Sequence, residues 1–192
     1  IRLTDALGQI WAQHDYEPLG GISQRVILSA VKDLSPGAPG DSSLPSVAQN
    51  DIKVIDVGCG SGILSIAAIK LGAAKALGVD IDAESITNSR ENADTNGVGE
   101  ELILGVGSVQ EILDARFAFT KAPLVVANIL APVIVRLFEA GMANLIEENG
   151  SIILSGILFE QEGSVIEAGQ AHGLRMTGRR QMGDWVALTM SR

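Results

Sequence analysis

The stretch Lys53–Ile63, KVIDVGCGSGI, decides the fold. It opens as a strand, because Val54, Ile55 and Val57 are β-branched, as strands inside a parallel sheet prefer. Gly58, Gly60 and Gly62 follow at a spacing of two. Glycine at such a turn lets the backbone bend sharply and lets a ligand come close. The apolar run after the turn predicts a helix, whose free N–H groups face whatever sits above it. The next apolar run, ALGVD, ends at Asp80. An acid about 20 residues past a glycine turn, at the end of the second strand, suits the hydroxyls of a ribose.

The glycine spacing selects among nucleotides. A dinucleotide turn has the form G-x-G-x-x-G, and its third glycine would fall where Ile63 stands. The spacing found is G-x-G-x-G. It resembles the turn of S-adenosylmethionine-dependent methyltransferases of the Rossmann-like class. The same glycines also serve as plain structural turns in many α/β folds.

Composition narrows the function classes. The chain has 192 residues, 46% of them hydrophobic, which is enough for one domain with a substantial core and a short extension. Asp and Glu number 23 against 14 Lys and Arg, for a net charge of −9. That balance argues against a nucleic-acid surface and suits a basic partner. The single Cys59 excludes an internal disulfide and reads as a small residue of the turn rather than a nucleophile. The most apolar segment, Leu124–Phe138, is interrupted by Asn128, Pro132 and Arg136, so no membrane span is expected. No basic start followed by an apolar run marks a signal peptide, and the expected location is the cytoplasm. The chain begins at Ile1 without a methionine, as a processed or excised piece would.

Three regions are expected along the chain. Residues 1–34 form an N-terminal helical extension, with helices over 3–14 and from Ser23 to Leu34. Residues 35–50, rich in Pro, Gly and Ser, form a linker. Residues 51–192 form the catalytic domain, in which strand and helix patterns alternate. Strands are predicted at 52–57, 75–80, 101–105, 123–127 and 150–155. Helices are predicted over Ser61–Leu71, Ala83–Asn96, Ser108–Leu113, Pro132–Glu147 and 159–171. Two last runs, 174–181 and 184–190, are separated by Met182-Gly183 and read as a hairpin. Repeated strand–helix–strand units imply a parallel sheet with helices on both faces. The expected fold is a Rossmann-like, doubly wound, seven-stranded sheet, mostly parallel, with one antiparallel strand in the C-terminal hairpin.

Ligands of open α/β sheets lie beyond the carboxyl ends of the strands, at the topological switch. Gly58, Gly60 and Gly62 are expected under the methionine and ribose of S-adenosylmethionine, and Asp80 at the ribose. Asp56 either reaches the amino end of the cofactor through backbone groups or water, or only hydrogen-bonds the turn. Ile81 is a candidate for an adenine face, and Ser108 and Val109 for its edge, with ordinary packing as the alternative. Asn128 ends the fourth strand, where the sulfonium methyl points. Methyl transfer to nitrogen needs a neutral amine with its lone pair aimed at that carbon. An amide oxygen can accept an amine N–H and orient the lone pair, a gain in positioning. The alternative for Asn128 is a cap on its own loop. His14 and His172 lack metal-ligand spacing, and Arg179-Arg180 reads as a solvated strand end.

The run VIDVGCGSGILSIAAIKLGAAKALGVDIDAESITNSRENADTNGV resembles the core of the ribosomal protein L11 methyltransferases (PrmA). So do VVANILAPVI and the tail ILSGILFEQEGSVIEAGQAHGL with its GDWVAL. The likeness runs from about Lys53 to the C-terminus. The NIL and SGIL segments carry more of it than the glycine turn, which many methyltransferases share. The resemblance implies S-adenosylmethionine as donor and S-adenosylhomocysteine as product. It also implies methylation of amines, at lysine side chains and the N-terminus, on a basic large-subunit ribosomal protein. It places Gly58, Asp80 and Asn128 at the cofactor. The family's A-F-G-T-G-x-H-x-T-T segment is replaced here by EPLGGISQRV, so no role is carried over to it. The family's separate capture domain for the ribosomal protein has no room in this chain. Two other readings stay open: a methyltransferase of a small amine, and a cofactor-binding module without catalysis.

Overall fold

The computed structural model describes residues 52–192. The expected N-terminal helices and the linker 35–50 lie outside the described residues. The first half of the fold runs β1 (Lys53–Val57), α1 (Ile63–Lys70), β2 (Lys75–Asp80), α2 (Ala83–Thr95) and β3 (Leu102–Val106). It continues through α3 (Val109–Leu113), β4 (Ala122–Asn128), α4 (Ala131–Glu139) and β5 (Ile146–Leu158). The chain ends with α5 (Glu162–Ala171), β6 (Arg175–Met182) and β7 (Trp185–Ser191).

All seven strands join one sheet in the order β3-β2-β1-β4-β5-β7-β6. β1 pairs in parallel with β2 on one side and β4 on the other, and β2–β3 and β4–β5 are also parallel. β7 runs antiparallel to both β5 and β6, so it is the one reversed strand, as the hairpin pattern predicts. The chain winds outward from β1 to β3, then returns to β4 on the other side of β1. The crevice between the carboxyl ends of β1 and β4 is the topological switch.

The sheet sorts apolar residues by alternation, because successive strand side chains point to opposite faces. Ile55, Val57, Leu77, Val79, Val125 and Ala127 join one cluster with Ile134 and Phe138 of α4. Val54, Ala76, Leu124 and Val126 join the other, with Ile66 of α1 and Ala93 of α2. Each fully buried Val, Leu or Ile contributes roughly 1.5–3 kcal/mol relative to exposure.

Three expectations change. The helix expected over Pro132–Glu147 ends at Glu139, because Gly141 takes a left-handed φ of 95°. A short 3-10 turn, Met142–Leu145, then feeds β5 at Ile146. The hairpin turn falls on Gly183-Asp184, since Met182 already pairs with Trp185. Arg179 is not simply solvated: its Nε sits 2.8 Å from Glu162 of α5, tying the edge strand to a helix. His172 has a structural place, with Nδ1 2.9 Å from the Ala168 carbonyl oxygen and its ring stacked on Phe138.

Candidate active site

The glycine turn is fixed from below and from the side. The Gly58 and Cys59 amides both donate to the Val79 carbonyl of β2, at 2.8 and 3.0 Å. The Ser89 hydroxyl donates to the Gly60 carbonyl at 2.6 Å, and the Asn92 amide donates to the Ser61 carbonyl at 2.9 Å. Both supports come from α2, one turn apart on one face. The turn residues Gly58, Gly60 and Gly62 have φ of 74°, 53° and 76°, a region that L side chains avoid.

The three glycines have different surroundings. A Cβ on Gly58 would stand 2.6 Å from Cγ2 of Ile129, and one on Gly62 would stand 3.0 Å from the Ser89 hydroxyl. A Cβ on Gly60 would meet nothing within 4 Å. Gly60 is therefore the turn residue whose missing side chain faces open space. Gly58 and Gly62 give up theirs to neighbouring elements.

Asp80 closes one side of that space. Its Oδ2 accepts from the Gly60 amide at 2.9 Å and its Oδ1 from the Asp82 amide at 3.0 Å. A carboxylate oxygen takes more than one hydrogen bond, so both keep capacity for a hydroxyl ligand. Ile81 follows with 80% of its surface exposed, which is unusual for an isoleucine beside a buried strand. Asp82 caps α2 by accepting from the Glu84 and Ser85 amides, and the Glu84 bond chiefly holds its carboxyl below the usual range.

Asp56 lies behind the turn, fully buried. Its Oδ2 accepts from the Ser65 amide at 3.1 Å and the Ser65 hydroxyl at 2.7 Å. Its Oδ1 has no hydrogen-bond partner among the described residues. Burial raises its carboxyl to about 6, against the Ser65 hydrogen bonds, with a further push from the Asp80 charge. Burial and then the Asp56 charge push the Cys59 thiol up to about 12, which removes it as a nucleophile at neutral pH.

Ser108 and Val109 stand at the start of α3. The Ser108 amide donates to the Glu111 carboxylate at 2.9 Å, closing the helix end. Val109 has its side chain wholly in the core. Its backbone is buried with it, which leaves the half-buried Ser108 as the open member of this pair.

Asn128 is the last residue of β4, level with Ser155 of β5. Ala127 belongs to the cluster under α4, so alternation puts Asn128 on the opposite face, with Val126. Asp56 of β1 pairs with Val126, and the same register carried two residues further brings Gly58 level with Asn128. The Asn128 amide caps no backbone group and has no hydrogen-bond partner among the described residues. Thus Gly60, Asp80, Ile81 and Asn128 gather at one carboxyl edge, while Asp56 and the Val109 side chain lie beneath it. No cluster able to hold a metal ion occurs among the described residues. No helix there is long and apolar enough to cross a membrane.

Sequence reasoning did not find Ser89, Asn92 or Glu111. Each supports the site through its own hydrogen bond. Ser89 and Asn92 reach partners 29 and 31 residues away, which leaves no local pattern to read. Glu111 had a signal, the S-x-x-E spacing of a capping box.

The model of the family "Ribosomal protein L11 methyltransferase (PrmA)" matches residues 42–192. A ribosomal protein L11 methyltransferase of Mannheimia succiniciproducens is 49% identical over 118 residues, covering 62% of this chain and 38% of that protein. One from Pasteurella multocida is 43% identical, covering 76% of this chain and 47% of that protein. The chain thus spans less than half the length of these curated relatives. The crystal structure of a ribosomal protein L11 methylase from Lactobacillus delbrueckii subsp. bulgaricus superposes with a TM-score of 0.74 at 28% identity. That match covers 93% of this chain and 91% of the other. With the glycine turn, the NIL and SGIL segments and the reversed strand all in place, the chain belongs to the ribosomal protein L11 methyltransferase (PrmA) family.

Proposed function

We propose that this chain carries the catalytic unit of an S-adenosylmethionine-dependent N-methyltransferase. Its acceptor is an amino group, a lysine side chain or the N-terminus, of a basic large-subunit ribosomal protein in the cytoplasm. The observation that carries the proposal is the open space over Gly60, beside the Asp80 carboxylate that accepts from the Gly60 amide, with Asn128 at the carboxyl end of the adjacent strand β4. When bound, S-adenosylmethionine supplies the electrophilic methyl carbon and leaves as the neutral thioether.

The residues present suit that donor. Asp80 holds the ribose hydroxyls while its bond to the Gly60 amide keeps the turn shaped. Ile81 gives an exposed apolar surface for the adenine face. Ser108, half-buried at the start of α3, borders the adenine edge. Asn128, with an unengaged amide, accepts one N–H of the acceptor and turns the nitrogen lone pair toward the methyl. The acceptor must arrive neutral, against ordinary pKa values of about 10.4 for a lysine and about 8 for an α-amine. Turnover is therefore expected to rise with pH until the acceptor itself titrates. The net charge of −9 favours a basic acceptor.

Two measurements test the reading in sequence. Calorimetric titration with S-adenosylhomocysteine is expected to show one site with micromolar affinity. Mass spectrometry of ribosomal protein L11 incubated with the chain and S-adenosylmethionine is expected to show added methyl groups on amines. Binding without methylation would move the acceptor elsewhere, and absence of binding would sink the proposal.

A further inference from the structure

The residue after Asn128 is clamped in an unusual way. A Cβ placed on Gly156 of β5 would stand 2.6 Å from the Ile129 carbonyl oxygen, 2.9 Å from its carbon and 3.0 Å from its nitrogen. The Ile129 backbone therefore crosses β5 where only a missing side chain admits it. Gly156 is itself left-handed, with φ of 79°. The Ile129 amide donates to the Ser155 carbonyl at 3.2 Å, beside the pairing of Ser155 with Asn128. On the other side, Cγ2 of Ile129 fills the place of a Gly58 side chain, 2.6 Å from where its Cβ would be. The register between β5 and β7 also shifts between Leu154 and Ile157, so the irregularity of β5 falls at Ser155-Gly156.

One side chain and its backbone are thus wedged between two glycines of different strands. Gly58 opens the glycine turn after β1, and Gly156 lies in β5. We infer that Gly156 and Ile129 are positioning residues that set Asn128 against the glycine turn, so that the acceptor amine and the methyl donor are held in register. The inference rests on the role proposed above for Asn128. It assigns a mechanical purpose to the NIL and SGIL segments: they are two halves of one joint. A backbone held by a hydrogen bond on one side and by steric contact on two others cannot drift, and misplacement by about 1 Å can cost about 10²-fold in rate.

The test uses a matched pair of substitutions in the full chain. Gly156→Ala and Gly173→Ala carry the same left-handed strain, since Gly173 has φ of 80°. A Cβ on Gly173 meets nothing within 4 Å, so only Gly156→Ala adds the collision with Ile129. Two readouts are taken: kcat against S-adenosylhomocysteine affinity, and the Asn128 side-chain amide cross-peak in an NMR spectrum, assigned by its loss in Asn128→Ala. Gly156→Ala is expected to shift the cross-peak and lower kcat by about 10²-fold, with affinity for S-adenosylhomocysteine kept within about twofold. Gly173→Ala is expected to change neither. If Gly156→Ala does not fold, Ile129→Ala, which empties the place against Gly58, is expected to shift the same cross-peak. An unmoved cross-peak in the folded variant overturns the inference. The spectrum needs no acceptor, so a failure of the proposed acceptor shows separately, as wild-type protein without turnover.

Discussion

At the scale of the residue, Asp56 carries a clear stability signature. It is fully buried, with one oxygen bonded to Ser65 and the other without a partner among the described residues. Burial lifts its carboxyl from 3.8 to about 6. Below both values the acid is protonated in the folded and unfolded chain, and it adds nothing to the pH dependence. Between them the unfolded chain gives up the proton first, so the folded form holds more protons and stability falls as pH rises. Above about 6 the penalty is complete, on the order of 3 kcal/mol. Asp56→Asn is expected to remove that fall. Urea midpoints measured from pH 4 to 7 should decline less steeply in the variant than in the parent, whatever constant offset the amide introduces. Parallel profiles would show that Asp56 ionises as it does in the unfolded chain.

At the scale of the element, the glycine turn and α2 form one unit. The sequence announced the turn, through three glycines at a spacing of two after a β-branched run, and it announced Asp80 through distance along the chain. Both are local patterns. What α2 adds was hidden, because Ser89 and Asn92 look like ordinary polar residues of an exposed helix until folding brings them to the turn. Ser89 is fully buried and donates to the Gly60 carbonyl at 2.6 Å. Ser89→Ala leaves that carbonyl without this donor and should lower stability by about 1–3 kcal/mol. Denaturant unfolding measures it, and an unchanged midpoint would mean that water replaces the hydroxyl. The end of α4 was misread for a related reason. Met142, Leu145 and Ile146 are all buried and continue an apolar spacing that a helix would also show. Only the left-handed Gly141 separates the helix from the 3-10 turn and the strand that follow. Ile129 and Gly156 were legible as parts of two motifs. Their contact was not, since nothing in either segment points to the other.

At the scale of the molecule, one sheet separates two apolar clusters, and the site lies along one edge of that sheet. Strand order was legible because alternating strands and helices allow few topologies, and the hairpin marked where the winding stops. A ligand over Gly60 would bridge the turn after β1, the acid at the end of β2 and the loop after β4. It would therefore bind the folded chain and not the unfolded one, where these parts are separate. At a concentration about 100-fold above its dissociation constant, S-adenosylhomocysteine should add about 2.7 kcal/mol of stability. For a chain of this size each kcal/mol moves Tm by about 2–4 °C, so a rise of about 5–10 °C is expected in a thermal melt. Asp80→Ala removes the carboxylate that holds Gly60 and that the proposed function sets against the ribose. It should weaken binding by about 1–3 kcal/mol and shrink the rise accordingly at the same ligand concentration. A full-sized rise in Asp80→Ala would place the ribose away from Asp80 while leaving the site itself in force. Loss of the rise in both proteins would mean that the edge of the sheet does not bind the nucleoside at all.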